Sequence, residues 1–415
     1  MNTNEYDVLI VGGGMVGATL ACALADFPLR IGIVERFPLL SDEQPSYDDR
    51  SIALAYGSSR IFSAMGLWGA LRPVTEPIRR IHISDRGHFG ATRLDSREQG
   101  TEALGYVVEN REMGRVLNDA LSNQENVSLI CPAHVQSIHV HEHYAELEYT
   151  QAAETRRVRA ALVVAADGTQ SLVREQLHIP VKTWQYNQTA IITNVSPALD
   201  HHNIAYERFT ETGPLALLPM RSIGSAGETS RRCSLVWTVR NEQVEETLAW
   251  PDDEFLARLQ TRFGQRLGKF QRVGSRHAYP LNLVRATEHI QSRVALIGNA
   301  AHTLHPVAGQ GYNLGIRDVA VLAELLASAA RHGEDPGAMP LLQQYADWRR
   351  RDHRNVIAFT DGLVRIFTNP LRGVQMVRDA GLLTLDLLPP MKNWLARQTM
   401  GLGGKLPRLG RGLPL

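Results

Sequence analysis

Three glycines near the start of the chain have the spacing of a phosphate-binding turn. Gly12, Gly14 and Gly17 form the pattern GxGxxG between a predicted strand, Tyr6–Val11, and a predicted helix, Met15–Ala25. In such a turn the first glycine permits a tight bend, the second lets the backbone approach a pyrophosphate, and the third lets the helix pack on the sheet. The amino end of the helix favours the phosphate charge. The pattern therefore predicts a dinucleotide site.

An acidic residue follows at the position where such sites hold a ribose. A second predicted strand, Ile31–Val34, ends at Glu35, whose carboxylate can accept hydrogen bonds from ribose hydroxyls. Val16 in the turn and Arg36 after the strand complete the predicted contacts of this β-α-β unit. These residues predict dinucleotide binding but do not distinguish FAD from NAD.

Two later junctions between a strand and a turn favour FAD. The first, residues 165–174, carries Asp167 directly after a predicted strand. The second ends at a predicted helix and has Gly309, Gln310 and Gly311 at the helix start. Backbone amides between glycines at a helix start can face the electron-rich edge of a ring. Flavin reduction builds up negative charge at such an edge, and these amides would stabilise it.

With these three motifs the chain resembles the flavoprotein aromatic hydroxylases of the para-hydroxybenzoate hydroxylase fold. Within them it resembles most the ring hydroxylases of ubiquinone biosynthesis, almost end to end up to about Arg350. Additional matches are Arg50 with Ala53 and Leu54, Arg111 with Leu117 and Leu121, and residues 207–209 and 213–219. The resemblance implies an α/β fold, in which a Rossmann-like FAD-binding domain is interwoven with an antiparallel-sheet substrate domain and followed by C-terminal helices.

The resemblance also implies roles for individual residues. Glu35 would hold the adenosine ribose, and Arg50 and Arg111 would contact the phosphate and ribityl region of FAD. Asp167 would lie near both FAD and the path of the nicotinamide. The implied flavin contacts further along the chain are Asn299, Pro306, Gly309, Gly311, Tyr312 and Asn313. No protein nucleophile is expected, so the part of the chain nearest to the reaction would be the flavin loop, Pro306, Gly309, Gln310 and Gly311.

One residue departs from the family pattern. The family usually has an aspartate at the position of Asn299, where it accepts a hydrogen bond from a ribityl hydroxyl. An asparagine can still accept through its amide oxygen, but it adds donors and lacks the negative charge. An asparagine here resembles the 2-polyprenyl-6-methoxyphenol hydroxylase branch, which is therefore the predicted branch.

The implied function is hydroxylation of the aromatic ring of a polyprenylated phenol in ubiquinone biosynthesis. FAD would be the cofactor and NADPH, or NADH, a transient co-substrate, because the sequence has no second GxGxxG unit to hold it. The oxygen atom would come from a flavin hydroperoxide. Two alternatives stay open: an FAD-dependent dehydrogenase or reductase that inserts no oxygen, and a flavin-binding scaffold of a biosynthetic complex.

Changes in periodicity divide the chain into three predicted parts. The strands predicted after Pro180 follow one another without intervening helices, which is typical of an antiparallel sheet and indicates a separate unit. The predicted FAD-binding domain comprises residues 1–75, 100–180 and 285–340. The predicted substrate domain comprises residues 76–99 and 181–284, and a helical segment covers residues 341–415.

Composition excludes several classes of function. The chain has 44 basic and 43 acidic residues, so no global field points to a nucleic acid. Cys22, Cys131 and Cys233 are far apart in sequence, which argues against a disulfide framework or a zinc site and favours a reducing, cytoplasmic location. No run of about 18 apolar residues predicts a membrane-spanning helix.

The histidines do not predict a metal site. His139, His141 and His143 alternate along one predicted strand, but no cluster of carboxylates or cysteines accompanies them, so a solvated strand face is expected. His302 and His305 flank the flavin loop, where a structural hydrogen-bonding role is favoured over acid–base catalysis.

The last part of the chain, Asp361–Leu415, combines apolar residues at helical spacing with interleaved basic residues. One interpretation is a set of helices packed on the flavin unit with a solvated basic face. The other is a surface that contacts anionic lipid, or a partner in a ubiquinone-biosynthesis complex, and admits a prenylated substrate. The second interpretation predicts a peripheral location at the inner face of the membrane.

Overall fold

The glycine pattern lies in the β-α-β unit that it predicts. The computed structural model describes residues 5–38, 44, 46, 50–87, 90–223, 230–304, 309–368, 381 and 384–415. In it β1 is Tyr6–Val11, α1 is Met15–Leu24 and β2 is Ile31–Val34. His305 and Pro306 lie outside the described residues.

The first sheet has eight strands and a parallel centre. The strands that join β1 and β2 are β8 (Val127–Ile130), β9 (His134–Val140), β10 (Ala145–Gln151), β11 (Glu154–Ala165), β18 (Ile290–Gln291) and β19 (Val294–Leu296). The main path is β18-β19-β11-β1-β2-β8, and β10 and β9 branch from β11 as antiparallel strands. The central strands are buried on both faces, which explains their uninterrupted apolar sequences.

Three helices cover one face of this sheet, and the first of them begins at the phosphate turn. α1 packs there with α4 (Asn110–Leu121) and α8 (Gln310–His332), and their apolar residues share one core with β1 and β2. The short helix α5 (Leu172–Gln176) follows β11. The late return of the chain to the first sheet, which the sequence predicted, is confirmed by the parallel pairing of β19 with β11.

The second sheet has nine strands and is mostly antiparallel, as predicted. Its strands are β5 (Arg80–Asp85), β6 (Ala91–Asp95), β12 (Val181–Pro197), β13 (Ile204–Thr210), β14 (Gly213–Ile223), β15 (Ser230–Arg240), β16 (Phe270–Val273), β17 (His277–Ala286) and β20 (His302–Thr303). The order is β20-β17-β12-β15-β14-β13-β5-β6, with β16 beside β12, and β5 pairs with β13 in parallel. The predicted domain boundaries stay a prediction.

One face of the second sheet is covered by two helices that the sequence analysis did not predict. α6 (Val244–Ala249) and α7 (Asp252–Phe263) follow β15. Phe255, Leu259 and Phe263 of α7 are buried against the sheet. Their spacing of four residues is the signal that would have predicted the helix. A cavity lies against the opposite face of the sheet.

A third sheet corrects one prediction. The sequence of residues 51–65 by itself predicts a helix, but the first five residues form β3 (Ser51–Ala55) and only then does α2 (Tyr56–Ala64) begin. β3 pairs with β7 (Gly105–Glu109), which also pairs with β4 (Thr75–Ile78). Because the partner strand lies about fifty residues further along the chain, local periodicity could not reveal the pairing. The short helix α3 (Trp68–Leu71) follows α2.

The C-terminal part contains helices in its described residues, as expected. α9 (Met339–Thr368) packs along α8, and α10 (Pro389–Thr399) buries Leu395 and Ala396 with Met400 in a small apolar cluster. None of the helices in the described ranges has both the length and the apolar composition needed to cross a membrane. The three cysteines all lie in described ranges, and none is joined to another in a disulfide.

A buried carboxylate joins α8, α9 and the turn after β19. Asp318 Oδ2 accepts a hydrogen bond from the Gly298 amide at 3.1 Å and pairs with His302 Nε2 at 2.8 Å. Asp318 Oδ1 accepts from Arg349 Nε at 2.7 Å and pairs with His353 Nε2 at 2.6 Å. Burial alone would raise the pKa of Asp318, but His353, Arg349 and His302 hold that pKa well below its usual value. The side chain therefore stays ionised.

Replacing this carboxylate should destabilise the fold strongly. Asp318→Ala leaves the Arg349 guanidinium buried without its main partner, and breaking a buried pair in this way costs about 3–5 kcal/mol. Asp347→Ala removes the exposed carboxylate that pairs with Arg350 on the same helix, and it should cost less than about 1 kcal/mol. Urea unfolding of both FAD-saturated variants measures the difference, and equal losses would contradict the expectation.

Candidate flavin site

The phosphate turn has no room for side chains. Gly12 has φ +103°, and a Cβ there would lie 2.5 Å from the Ala166 carbonyl oxygen. A Cβ on Gly17 would lie 2.0 Å from the Gly12 carbonyl oxygen. Gly14 caps α1 without any side-chain hydrogen bond, so the first amides of the helix have no capping side chain. The turn therefore presents backbone N–H groups, as the sequence pattern predicts.

Glu35 shapes this turn in addition to its expected contact with a ribose. Its Oε2 accepts a hydrogen bond from the Gly13 amide at 2.6 Å, and its Oε1 accepts one from the Phe37 amide at 2.8 Å. The side chain is buried. Arg36 is exposed, and its guanidinium lies 5.2 Å from the centre of the Phe37 ring. The carboxylate thus orders the backbone on both sides of the predicted ribose position.

The Val16 side chain packs between the phosphate turn and two later glycines, Gly298 and Gly315. A Cβ on Gly298 would lie 3.1 Å from Val16 Cγ1, and a Cβ on Gly315 would lie 3.2 Å from Val16 Cγ2. Both glycines let the turn after β19 and the helix α8 approach α1 closely. Val16 therefore holds two parts of the predicted site together by packing.

The start of α8 opens on a cavity. Gly309 caps the helix with φ +60° and no side-chain hydrogen bond. Both Gly309 and Gly311 line the cavity, and a Cβ on Gly311 would meet nothing within 4 Å. A Cβ on Gly309 would lie 3.1 Å from Ala53 Cβ, so β3 forms the adjoining wall. A planar ring can thus approach the backbone at this point.

Asn313 and Gln310 have partners within the protein. Asn313 Oδ1 accepts from the Ala55 amide at 2.7 Å, and its Nδ2 donates to the carbonyl oxygens of Ala53 at 2.8 Å and Gly309 at 2.6 Å. Gln310 is buried, and its Nε2 donates to the Thr399 carbonyl oxygen at 3.2 Å. These side chains fix the flavin loop against β3 and α10. Tyr312 also lines the cavity, and burial raises the pKa of its phenol.

Asp167 and Asn299 differ in exposure. Asp167 Oδ2 accepts from the Val173 amide at 3.2 Å at the start of α5, whereas its buried Oδ1 has no hydrogen-bond partner among the described residues. Burial raises the pKa of Asp167. Asn299 has an exposed side chain and lines the cavity. Both can therefore offer an acceptor oxygen to a bound molecule.

The structure brings Arg50 and Arg111 together although 60 residues separate them in sequence. The amide of Asn110, directly before Arg111, donates to the Arg50 carbonyl oxygen at 2.8 Å. The Arg50 guanidinium lies 4.6 Å from the centre of the Tyr279 ring, and the Arg111 side chain is exposed. Pairing of β3 with β7 produces this proximity.

The cavity has a volume of about 840 Å³ and mostly apolar walls. The first wall is formed by β3, Gly309 and Gly311, the second by the open face of the second sheet, and the third by α9, α10 and residues between these two helices. The described residues of the third wall are Phe359, Leu363, Ile366, Phe367, Gly381, Leu385, Trp394, Leu395 and Thr399. The cavity thus connects the predicted flavin position to the C-terminal helices.

Comparison with known proteins identifies the family. Residues 5–360 match the family described as FAD binding domain. Ubiquinone hydroxylase UbiL of Rhodospirillum rubrum is 40% identical over 99% of this chain and 93% of its own length. The 3-demethoxyubiquinol 3-hydroxylase of Escherichia coli is 31% identical over 97% of this chain and 100% of its own. The chain belongs to the FAD-binding domain family.

FAD is the cofactor, and the resemblance to the hydroxylases of ubiquinone biosynthesis is confirmed. The solved structure of p-nitrophenol 4-monooxygenase PnpA from Pseudomonas putida covers 98% of this chain and 100% of its own, with TM-score 0.79 and 19% identity, and shows that the fold is shared. The predicted branch at Asn299 and the contacts of individual residues with FAD stay predictions.

The residues of the flavoprotein fit FAD. In the phosphate turn a Cβ on Gly12 or Gly17 would clash with the backbone, and at the start of α8 a Cβ on Gly311 would project into the cavity. The amino ends of α1 and α8 both lack a side-chain cap. The buried Oδ1 of Asp167 is an unused acceptor beside the phosphate turn. Gly12, Gly14 and Glu35 would hold the adenosine half, while Gly309 and Gly311 would face the ring.

The sequence analysis missed the carboxylate network behind the flavin loop. His302 has the structural role that was favoured, because it is fully buried and pairs with Asp318. Asp318, His302 and His353 have the composition of a metal site. The Arg349 guanidinium, 2.7 Å from Asp318, already neutralises the carboxylate, so a cation does not fit there. A charged residue within the apolar stretch of α8 was the available signal.

Glu35→Ala should weaken FAD binding and also loosen the turn. The substitution removes a charged acceptor for the ribose, on the order of 1.5–3 kcal/mol or roughly a 10- to 150-fold loss of affinity. It also leaves the amides of Gly13 and Phe37 without an acceptor. Glu125→Ala, at an exposed position near β8, is the matched control and should bind FAD like the parent. Unchanged affinity of Glu35→Ala in a fluorescence titration would remove Glu35 from the site.

Proposed function

We propose that this flavoprotein hydroxylates the aromatic ring of a polyprenylated phenol in ubiquinone biosynthesis, with NADPH or NADH as reductant and dioxygen as the oxygen source. The observation that carries the proposal is the cavity, which begins at Gly309 and Gly311 and continues between apolar walls to α9 and α10. An aromatic head at the flavin loop would leave its prenyl chain in the apolar part.

Relatives with established names support the same reaction. Three of the proteins that match almost the whole chain are named ubiquinone hydroxylase, 3-demethoxyubiquinol 3-hydroxylase and, in Xenopus tropicalis, ubiquinone biosynthesis monooxygenase COQ6, which is 30% identical. These names favour oxygen insertion over a dehydrogenase and over a scaffold without turnover.

When bound, FAD supplies the redox chemistry that activates oxygen. The chain supplies position and environment. Asn313 holds Gly309 against β3, so the backbone at the ring edge is fixed before the ligand arrives. The apolar walls exclude water from the reacting ring, which limits loss of reducing equivalents. Asp167 and Asn299 would accept hydrogen bonds from the cofactor through their side-chain oxygens.

Isotope labelling tests this proposal directly. The purified holoprotein, given NADPH, ¹⁸O₂ and a phenol with a short prenyl chain, should form a product that carries one ¹⁸O atom on the ring. Product analysis by mass spectrometry measures the incorporation. NADPH oxidation with a reduced or dehydrogenated product that contains no label would instead favour the dehydrogenase alternative.

The cavity ends beside an exposed apolar surface on the C-terminal helices. Leu387, Leu388, Met391 and Trp394 expose 66%, 47%, 44% and 55% of their surface, and the last also lines the cavity. They account for four of the eleven large apolar residues that are exposed in the described part of the chain, which indicates a contact surface. We propose that this α10 surface meets the membrane interface and admits the substrate.

Two basic residues near this surface are paired with carboxylates, so they are less available to bind anionic lipid than the sequence suggested. Lys392 Nζ pairs with Glu98 at 2.8 Å, and Arg365 Nε pairs with Asp361 at 2.8 Å. Apolar insertion, more than attraction to anionic lipid, would therefore drive the contact. Arg372 and Arg378 lie outside the described residues.

Point substitutions on the α10 surface should release the protein from vesicles. Removal of the chain from Lys392 would delete Leu395 and so uncover Leu94 and Leu104, which share its apolar cluster. Two substitutions outside the cavity, Leu387→Ser and Met391→Ser, are therefore preferable. The double variant should sediment several-fold less with phosphatidylcholine vesicles, with or without anionic lipid, because it loses apolar area for insertion.

The control for that experiment is Leu129→Ser with Leu199→Ser, which removes two exposed leucines elsewhere on the molecule. This control should sediment like the parent. If the parent does not sediment with either type of vesicle, the surface does not contact lipid, and a protein partner in a biosynthetic complex becomes the better interpretation.

A further inference from the structure

The two faces of the second sheet differ in how tightly they are packed. On the face covered by α7, Leu215 and Leu217 of β14 and Trp237 of β15 are fully buried. On the other face, Ala216 and Val236 belong to the same two strands, yet both are only half-buried and both line the cavity. The cavity face of β14 and β15 is therefore a part of the sheet that a ligand can cover.

Ala216 has the smallest side chain of its row across the sheet. In the register of the strands this row consists of Ile83, Glu207, Ala216, Val236 and Ile192. Along β14, the next residues on the same face are Pro214 and Leu218, each about 7 Å away. A single methyl group between larger side chains leaves a recess in the wall. Because Ala216 itself lines the cavity, the recess opens into it.

The recess at Ala216 lies one step along the strand from the flavin loop. Leu218 and Ala53 pack against the same apolar cluster, and a Cβ on Gly309 would lie 3.1 Å from Ala53 Cβ. Ala216 is two residues from Leu218 on the same face of β14. A substrate ring held between the flavin loop and the second sheet would therefore lie against Ala216.

The row leads away from the recess to the C-terminal helices. Ile81 and Ile83 of β5 pack in one apolar cluster with Leu395 of α10. The strand order β14-β13-β5 separates β5 from Ala216 by two strand spacings, which is about 10 Å. A ring whose prenyl chain points to α10 therefore presents its opposite edge to Ala216 and Val236.

We propose that the recess at Ala216 takes a small apolar substituent of the substrate ring, on the edge opposite to the prenyl chain. This inference rests on the proposed function. Pro214, Leu218 and Val236 border the recess with hydrocarbon, and Glu207 borders the remaining side. Burying a charged or unpaired polar group against hydrocarbon costs free energy, so a methyl or methoxy group fits better than a carboxylate. Residue 216 thus determines which substituted phenols are accepted.

Filling the recess should change the preference between two phenols. The probes are 2-prenylphenol and 2-prenyl-6-methoxyphenol, titrated into the oxidised holoprotein without NADPH, and the absorbance spectrum of the flavin reports binding. The parent should bind the methoxy compound about tenfold more tightly, because the substituent fills the recess. Ala216→Leu occupies this space, so it should abolish or invert the preference while its affinity for 2-prenylphenol changes little.

A second variant enlarges the recess and so does not require the fold to accept a larger side chain. Val236→Ala removes two methyl groups beside Ala216. Relative to the methoxy compound, this variant should bind 2-prenyl-6-ethoxyphenol about tenfold more tightly than the parent does, because the added methylene now has room.

Ala257→Leu is the matched control for Ala216→Leu. It makes the same change on the exposed side of α7, and Ala257 is not among the described residues that line the cavity. The control should leave the ratio of the two dissociation constants unchanged. A general loss of stability would weaken the binding of both phenols together, so the ratio reports the recess. With NADPH, the ratio of the kcat/KM values of the two phenols should shift in the same direction.

The outcomes separate this inference from the proposed function. Equal ratios in the parent and in Ala216→Leu, or no binding of either phenol to the parent, overturn the recess as a substituent site. If the parent hydroxylates the phenols while the ratio is unaltered in Ala216→Leu, the inference fails and the proposed function stands. A shifted ratio together with no hydroxylation of either phenol supports the recess and refutes the proposed function.

Discussion

The ionised carboxylate of Asp318 is the interaction on which the rest of the site depends. This side chain of α8 is fully buried. It joins the helix to the turn at Gly298 and to Arg349 and His353 of α9. A carboxylate in the interior is stable only when cations and N–H groups surround it. Its partners therefore fix how α8 meets the first sheet, and so where the helix start presents its amides.

Backbone groups make most of the flavin site, and side chains hold the backbone in place. Glu35 accepts from two amides of the phosphate turn, and Asn313 joins the flavin loop to β3. Gln310 extends the connection to α10 through Thr399. Glu35 and Asn313, which the family resemblance suggests as cofactor contacts, thus also hold in place the backbone that would contact the cofactor.

The second sheet has two different faces because its strands alternate. One set of side chains packs on α7 around Trp237, and the other set forms the cavity wall. α9 and α10 close the same cavity, so the C-terminal helices belong to the substrate site as well as to the surface. This arrangement links the flavin loop, the apolar wall and the exposed α10 surface in one continuous path.

Local spacing in the sequence was sufficient for the parts of the site that lie close together along the chain. Gly12, Gly17 and Glu35 belong to one β-α-β unit, whose geometry follows from sterics and periodicity. Balanced charge and scattered cysteines also follow from the sequence alone. The family resemblance added the cofactor and the class of reaction.

Only the tertiary structure decided the contacts between distant segments. The strand β3 pairs with β7, which lies about fifty residues further along the chain, where local periodicity predicts a helix. The stacking of Phe209 on Phe367 depends on how α9 packs on the second sheet. Such contacts have no periodic signature in the sequence, because each depends on the packing of elements that are separated by many residues.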